Sequence, residues 1–171
     1  MPSRPGLRPT PDRVRETLFN WLGQDLSGLV CLDLFAGSGA LGFEAASRGA
    51  ARVVLVEEDR AAVATLSASR AFLDAANVEI VAADALAYLA AAADRFDVVF
   101  LDPPFRQNVL PAVLSALPPR LAPEARVYLE AGSPMQVSAP WHELRRRRAG
   151  QVSYQLLLWS ADDPSRLPGN V

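Results

Sequence analysis

None of the 171 residues is lysine, so all 17 basic side chains are arginine. There is one cysteine, Cys31, and one histidine, His142. A lone cysteine excludes an intrachain disulfide, and the apolar neighbours of Cys31 point to a buried strand position. No apolar run reaches the roughly 20 residues needed to span a bilayer. The opening stretch MPSRPGLRPTPDR has no apolar core of a secretory signal. The expected compartment is the cytoplasm, with no membrane partner. A net charge of −2 excludes a chain that is polycationic as a whole. Arginines nevertheless gather at Arg4, Arg8, Arg13 and Arg15, and again at Arg145, Arg146, Arg147 and Arg148. Such runs read either as solvated faces or as contacts for a polyanion.

Half of the residues are hydrophobic and 21% are charged, the balance of an ordinary globular protein with a sizeable core. The whole chain, 1–171, reads as one domain, with residues 1–9 a lead-in and 161–171 a loose tail. Thr10-Pro11-Asp12 has the form of an N-cap, a proline at the first helical position and an acid in the first turn. Val14, Leu18, Trp21 and Leu22 then fall on one helical face. Strand-like runs follow at Leu29–Phe35, Arg52–Val56, Val78–Val81, Phe96–Leu101 and Ala125–Glu130. Helix-like segments separate them, at Ala40–Arg48, Arg60–Ala75, Ala85–Ala93 and Val109–Leu117. Continuous apolar strands alternating with helices predict an α/β domain, a mostly parallel sheet with helices on both faces. His142–Arg148 and Gln151–Trp159, joined at Ala149-Gly150, predict a C-terminal antiparallel hairpin.

In such a sheet, ligands bind outside the carboxyl ends of the strands, so the residues that follow each strand matter most. After the first come Asp33 and the loop Phe35-Ala36-Gly37-Ser38-Gly39, with Gly42 completing a G-x-G-x-x-G spacing. Glycine lets backbone approach a ligand, and the next helix offers free N–H groups to an anion. A tight turn serving only helix packing explains the same glycines. After the second strand comes Glu57, an acid placed to accept hydrogen bonds from ribose hydroxyls, or simply one acid of a helix start shared with Glu58 and Asp59. After the third comes Asp84, an acceptor for an adenine amino group or an ordinary helix cap. The fourth strand runs into Asp102-Pro103-Pro104-Phe105. Two prolines donate no hydrogen bonds and hold the chain extended. This fixes the Asp102 side chain and the Pro103 carbonyl as two acceptors, with Phe105 an aromatic face beside them. Strand termination alone accounts for the prolines but not for the acid before them or the ring after.

Asp-Pro-Pro-Phe after a fourth strand resembles the catalytic motif of S-adenosylmethionine-dependent methyltransferases acting on exocyclic amines. More narrowly, LRPTPDRVRETLFNWL (7–22), LDLFAGSGALGFEA (32–45), DPPF (102–105) and AGQVSY (149–154) together resemble the RsmD family, over about residues 5–160. The resemblance implies a Rossmann-like class I methyltransferase fold with seven strands. It implies as reaction the methylation of guanine N2 in bacterial small-subunit ribosomal RNA, within the small subunit, by a protein expected to be a monomer without a metal. It further implies that the segment bearing Thr10, Asp12 and Arg13 folds over the donor site, where Arg13 or Arg15 meets the donor's carboxylate or an RNA phosphate. Members of the family carry a basic glycine-rich segment upstream of PGLRPT, where this sequence has only Met1-Pro2-Ser3-Arg4. Donor binding is expected to survive the loss of such a segment, whereas RNA affinity, which rests on phosphate contacts, is expected to suffer from it.

The chemistry of the residues agrees. An exocyclic base amine is a weak nucleophile because its lone pair is delocalised. Two fixed acceptors on its N–H bonds aim that lone pair and stabilise charge developing on nitrogen. Phe105 would stack a base splayed out of its helix. The expected site is therefore Asp102, Pro103, Pro104 and Phe105 for catalysis, with Thr10, Arg13, Asp33, Phe35, Ala36, Gly37, Ser38, Gly39, Glu57 and Asp84 around the donor. Three other readings share some of these features. An adenine-N6 or other amino-directed nucleic-acid methyltransferase shares the proline motif, though the chain has no room for a separate DNA-recognition domain. An NAD-binding oxidoreductase shares the glycine spacing. A degenerate methyltransferase fold could serve as an RNA-binding module.

Overall fold

Hydrophobic strands that must be covered on both sides set the architecture. The computed structural model describes residues 12–104 and 108–160. Its elements are α1 (Asp12–Leu22), β1 (Val30–Asp33), α2 (Ala40–Ser47), β2 (Arg52–Glu57), α3 (Arg60–Phe72), β3 (Val78–Ala82), α4 (Ala85–Ala91) and β4 (Phe96–Leu101). There follow α5 (Leu110–Ala116), a 3₁₀ turn at Pro118–Arg120, β5 (Leu121–Ala131), β6 (Trp141–Ala149) and β7 (Val152–Trp159). The seven strands form one sheet in the order β3-β2-β1-β4-β5-β7-β6. β1 to β5 are mutually parallel, while β7 is antiparallel to both β5 and β6. Strand order reverses between β1 and β4, which places the crevice of a doubly wound sheet at their carboxyl ends.

Strand alternation divides the core in two. Phe100, Tyr128, Tyr154 and Leu156 face α1, α2 and α3, with Cys31, Val53 and Leu55. Leu32, Val54, Val99, Leu101, Val127 and Leu157 face α4 and α5. Cys31 is wholly buried, and burial pushes its thiol up to about 12, so it is an inert core residue. α1 lies across β4, β5 and β7, with the ring of Phe19 6.0 Å from that of Phe100. Its last turn is held from below, where Arg126 of β5 donates to the Leu22 carbonyl at 2.8 Å. A cation on an orphan carbonyl is the favourable arrangement for a helix C-terminus. Arg126 lies midway along β5, and the first turn of α1 reaches the carboxyl edge of the sheet, where Arg13 stands with the β6–β7 turn.

Element boundaries depart from the sequence reading in places with a local cause. α3 ends at Phe72 instead of Ala75 because Asp74 takes a left-handed φ of 50°. β5 begins at Leu121 instead of Ala125, and its pairing with β4 shifts between Phe96 and Val98. Pro123 has no N–H to give and Glu124 sits at φ 62°, so the strand bulges there. The β6–β7 turn is tight, with Ala149 paired to Val152 and Gly150 at φ 61°. The lead-in 1–9 and the tail 161–171 lie outside the described residues.

Phe19 is fully buried and joins α1 to the sheet. Phe19→Ala is expected to lower unfolding free energy by about 3–5 kcal/mol, read as an earlier midpoint in urea denaturation.

Candidate functional site

A helix begins with N–H groups that lack partners, and α2 begins at a residue with no side chain. Its N-cap, Gly39, has φ 82° and offers no capping oxygen. The missing acceptor comes from the strand: Asp33 Oδ2 accepts from the Gly42 N–H, at the third helical position, at 3.1 Å. Asp33 thus caps α2 from the end of β1. Gly42 must be glycine for this approach, since a Cβ there would lie 2.1 Å from Leu55 Cδ2 and 3.3 Å from Asp33 Oδ2. Gly39 is excluded from carrying a side chain for similar reasons, with the Phe43 ring 2.6 Å and Leu66 Cδ2 2.7 Å from where its Cβ would stand.

Gly37 is different. A Cβ on it would meet nothing nearer than the Phe35 carbonyl at 4.0 Å, so protein packing does not require glycine there. Its φ of 55° does favour glycine, and the residue presents bare backbone. The loop is fastened to β2 beside it. Ala36 N–H donates to the Val56 carbonyl at 2.9 Å, and Gly37 N–H donates to Glu57 Oε1 at 2.8 Å. Glu57 Oε2 accepts from Asp59 N–H at 2.9 Å. Each carboxylate oxygen of Glu57 has a further lone pair, so the group is oriented without being used up. Ala36 is buried, Phe35 is half-buried against the α4 side of the sheet, and Ser38 is exposed. Asp84 caps α4, accepting from Ala87 N–H at 3.0 Å with Oδ2. The helix-cap reading of Asp84 therefore describes one of its oxygens.

Asp102 is half-buried, Pro103 is buried and Pro104 half-buried, directly beyond β4 and beside β1. Phe105 and Thr10 lie outside the described residues. Two further residues were not among those singled out from the sequence. Tyr128 hydroxyl donates to Glu130 Oε1 at 2.6 Å, and both side chains are buried on β5 next to β4. Leu129 pairs with Leu101, which sets Glu130 level with Asp102 on the neighbouring strand. The signal for Glu130 was present, an acid closing the run Val127-Tyr128-Leu129, just as Asp33 and Glu57 close theirs. Burial, then the negative charges of Glu130 and Asp102, hold the Tyr128 hydroxyl far above its ordinary value. His142 stands at the start of β6, paired with Leu158, at the opposite edge of the sheet.

The carboxyl edge between α1, α2 and the strands is therefore acidic. Burial raises the Asp33 carboxyl from 3.8 to about 7 against the Gly42 hydrogen bond, with Glu57 and Glu130 adding to the rise. Arginines flank this edge. Arg15 pairs with Asp12 at 2.8 Å and reaches Glu44 of α2 at 3.8 Å. Arg13 is exposed one position away on the α1 surface.

The folded chain keeps the Asp33 proton at pH values where an unfolded carboxyl at 3.8 has lost it. This contribution to stability is full below about pH 4 and is lost as pH rises through about 7. Asp33→Asn keeps an oxygen for Gly42. It is expected to shrink the difference in urea-unfolding free energy between acid and neutral pH by about 1–4 kcal/mol. Gly39→Ala, which meets both a left-handed φ and two occupied neighbours, is expected to lose about 1–3 kcal/mol in the same measurement.

Residues 1–158 match the family model described as conserved hypothetical protein 95. The ribosomal RNA small subunit methyltransferase D of Escherichia coli K12 is 47% identical over 162 residues, covering 91% of this chain and 81% of the relative. The protein of the same name from Haemophilus influenzae is 41% identical over 159 residues, covering 88% and 82%. Among solved structures, a putative methyltransferase of Escherichia coli superposes with a TM-score of 0.85 at 46% identity, over 92% of this chain and 90% of that one. A putative methylase of Haemophilus influenzae gives 0.78 at 38% identity, over 87% and 98%. The switch point, the glycine turn and the Asp-Pro-Pro strand end meet at one sheet edge in a chain that matches this family over most of its length, and the chain belongs to the RsmD family of S-adenosylmethionine-dependent methyltransferases.

Proposed function

We propose that this protein methylates ribosomal RNA at the exocyclic N2 amine of a guanine in the small subunit, with S-adenosylmethionine as donor. The observation that carries the reading is the delivery of Asp102-Pro103-Pro104 to the strand-order reversal, beside the bare Gly37 backbone at the end of β1. The names of the relatives at 47% and 41% identity support the ribosomal RNA substrate and the small subunit.

The residues present fit the donor. Gly37 leaves backbone room for its aminoacyl portion, Gly39 shapes the turn by packing against Phe43 and Leu66, Glu57 is a pre-oriented acceptor for ribose hydroxyls, and Asp84 stands at the end of β3 for the adenine amino group. The surrounding acids, Glu57, Glu130 and Asp102, suit a ligand carrying positive charge. When bound, S-adenosylmethionine supplies a methyl group made electrophilic by its sulfonium. The chain's own contribution is positioning and charge. Asp102 carboxylate and Pro103 carbonyl accept the two N–H hydrogens of the target amine. They hold its lone pair toward the donor side and stabilise the positive charge that builds on nitrogen. Pro103 and Pro104 keep those acceptors from drifting, because neither residue can rejoin a hydrogen-bonded strand. Phe105 stacks the extruded base. The half-buried setting of Asp102 keeps part of the water out, which strengthens both hydrogen bonds.

Small ribosomal subunits from a strain lacking the gene are expected to accept tritiated methyl from the donor, with N2-methylguanosine as the labelled nucleoside. Label in DNA alone, or on adenine, would refute the assignment. Asp102→Ala is expected to lower kcat by roughly 10²–10³-fold while calorimetric donor affinity stays near that of the parent.

A further inference from the structure

A cleft of about 310 Å³ lies between α1 and the β6–β7 turn. Val14, Thr17 and Trp21 form its helix wall, and Tyr128 and Tyr154 form its floor. The rings of Tyr128 and Tyr154 lie parallel, 6.5 Å apart and 14° from coplanar. Arg13, Arg147 and Arg148 line it as well, and no acidic residue among those described does. None of these three arginines ion-pairs with a described carboxylate, in contrast to Arg15, Arg48, Arg52 and Arg146. The walls are apolar and aromatic while the charge is cationic only, so the cleft is complementary to a flat ring attached to an anion. That is the chemistry of a nucleotide within a polynucleotide.

Position decides which nucleotide. Tyr128 hydrogen-bonds Glu130, which stands level with Asp102 on the adjacent strand. Neighbouring strands are about 4.8 Å apart, so the cleft floor begins next to the reaction centre. Asp102, Pro103 and Pro104 are not part of the cleft lining. The target amine at Asp102 and a ring in the cleft are therefore two adjacent places along one strand of RNA. The hairpin makes the arrangement possible. β7 runs antiparallel to β5, which brings the β6–β7 turn and its arginines to the carboxyl edge where the parallel strands end.

We infer that the cleft between α1 and the β6–β7 turn seats the nucleotide flanking the methylated one, its base beside Trp21 and over Tyr154 and its phosphate on Arg13, Arg147 and Arg148. This rests on the ribosomal RNA reading above and adds to it a specific subsite. It also gives the exposed arginine run of β6 a task distinct from catalysis. An RNA held at the target and at its neighbour is hindered from rotating the amine away from Asp102.

The test uses the purified full chain with small ribosomal subunits from a strain lacking the gene, and a fluorescein-labelled fragment of their RNA. R147Q/R148Q removes two exposed charges without touching the core. It is expected to raise KM for subunits about 10-fold or more and to flatten the salt dependence of fragment binding by one to two charges. The kcat and the donor affinity are expected to stay near parental values. Thr17→Trp, which fills the cleft from the helix wall, is expected to raise KM in the same way with no lost charge. Unchanged KM and fragment affinity in both variants, with the parent methylating subunits normally, would overturn the subsite alone. A parent enzyme that transfers no methyl group to the subunits would overturn the ribosomal RNA reading, and the subsite with it.

Discussion

The hydrogen bond from Gly42 N–H to Asp33 Oδ2 is the contact on which the rest of the edge depends. It ties the first turn of α2 to the end of β1, and the turn between them has no freedom left. A side chain at Gly42 would strike Leu55, so the acid and the glycine specify each other. Once α2 is docked this way, the loop's next anchors follow. Ala36 bonds the Val56 carbonyl and Gly37 bonds Glu57, so the glycine turn is held by both strands it lies between.

The same edge shows how a buried acid can be structural and electrostatic at once. Asp33 caps a helix, but its burial costs enough that its carboxyl moves up to about 7. Glu57 and Glu130 contribute to that shift, which means that the field at this edge is negative even before Asp102 is counted. A neutral or cationic ligand is favoured there. Phosphate-rich ligands are favoured only where the arginines of α1 and β6 stand. The carboxyl edge is thus divided by sign: acids on the side of β1, β2 and the end of β4, arginines toward the hairpin.

Much of this was legible in the linear chain. Alternating apolar runs gave strands and helices whose boundaries mostly agree with the structure to within a few residues, because apolar strands leave little choice of partner. The exceptions, at Asp74 and Glu124, are non-glycine residues with positive φ, which no periodicity reveals. Asp102-Pro103-Pro104 stood out because prolines constrain backbone locally. Glu130 was not singled out although it closes its strand as Asp33 and Glu57 close theirs, and its neighbours show what it touches. Tyr128 is beside it on the same strand, and Asp102 is one strand over.

The sequence by itself determined which segments are strands, which turns need glycine, and where an extended Asp-Pro-Pro must interrupt pairing. These are consequences of short-range sterics and side-chain period. Only the tertiary structure decided that β7 runs antiparallel into the sheet beside β5, carrying the arginine run of β6 to the carboxyl edge. It alone decided that α1 closes over Tyr128 and Tyr154 to leave a basic, aromatic cleft next to Asp102. The second placement joins residues more than a hundred positions apart, and only the packing of α1 against the sheet brings them together.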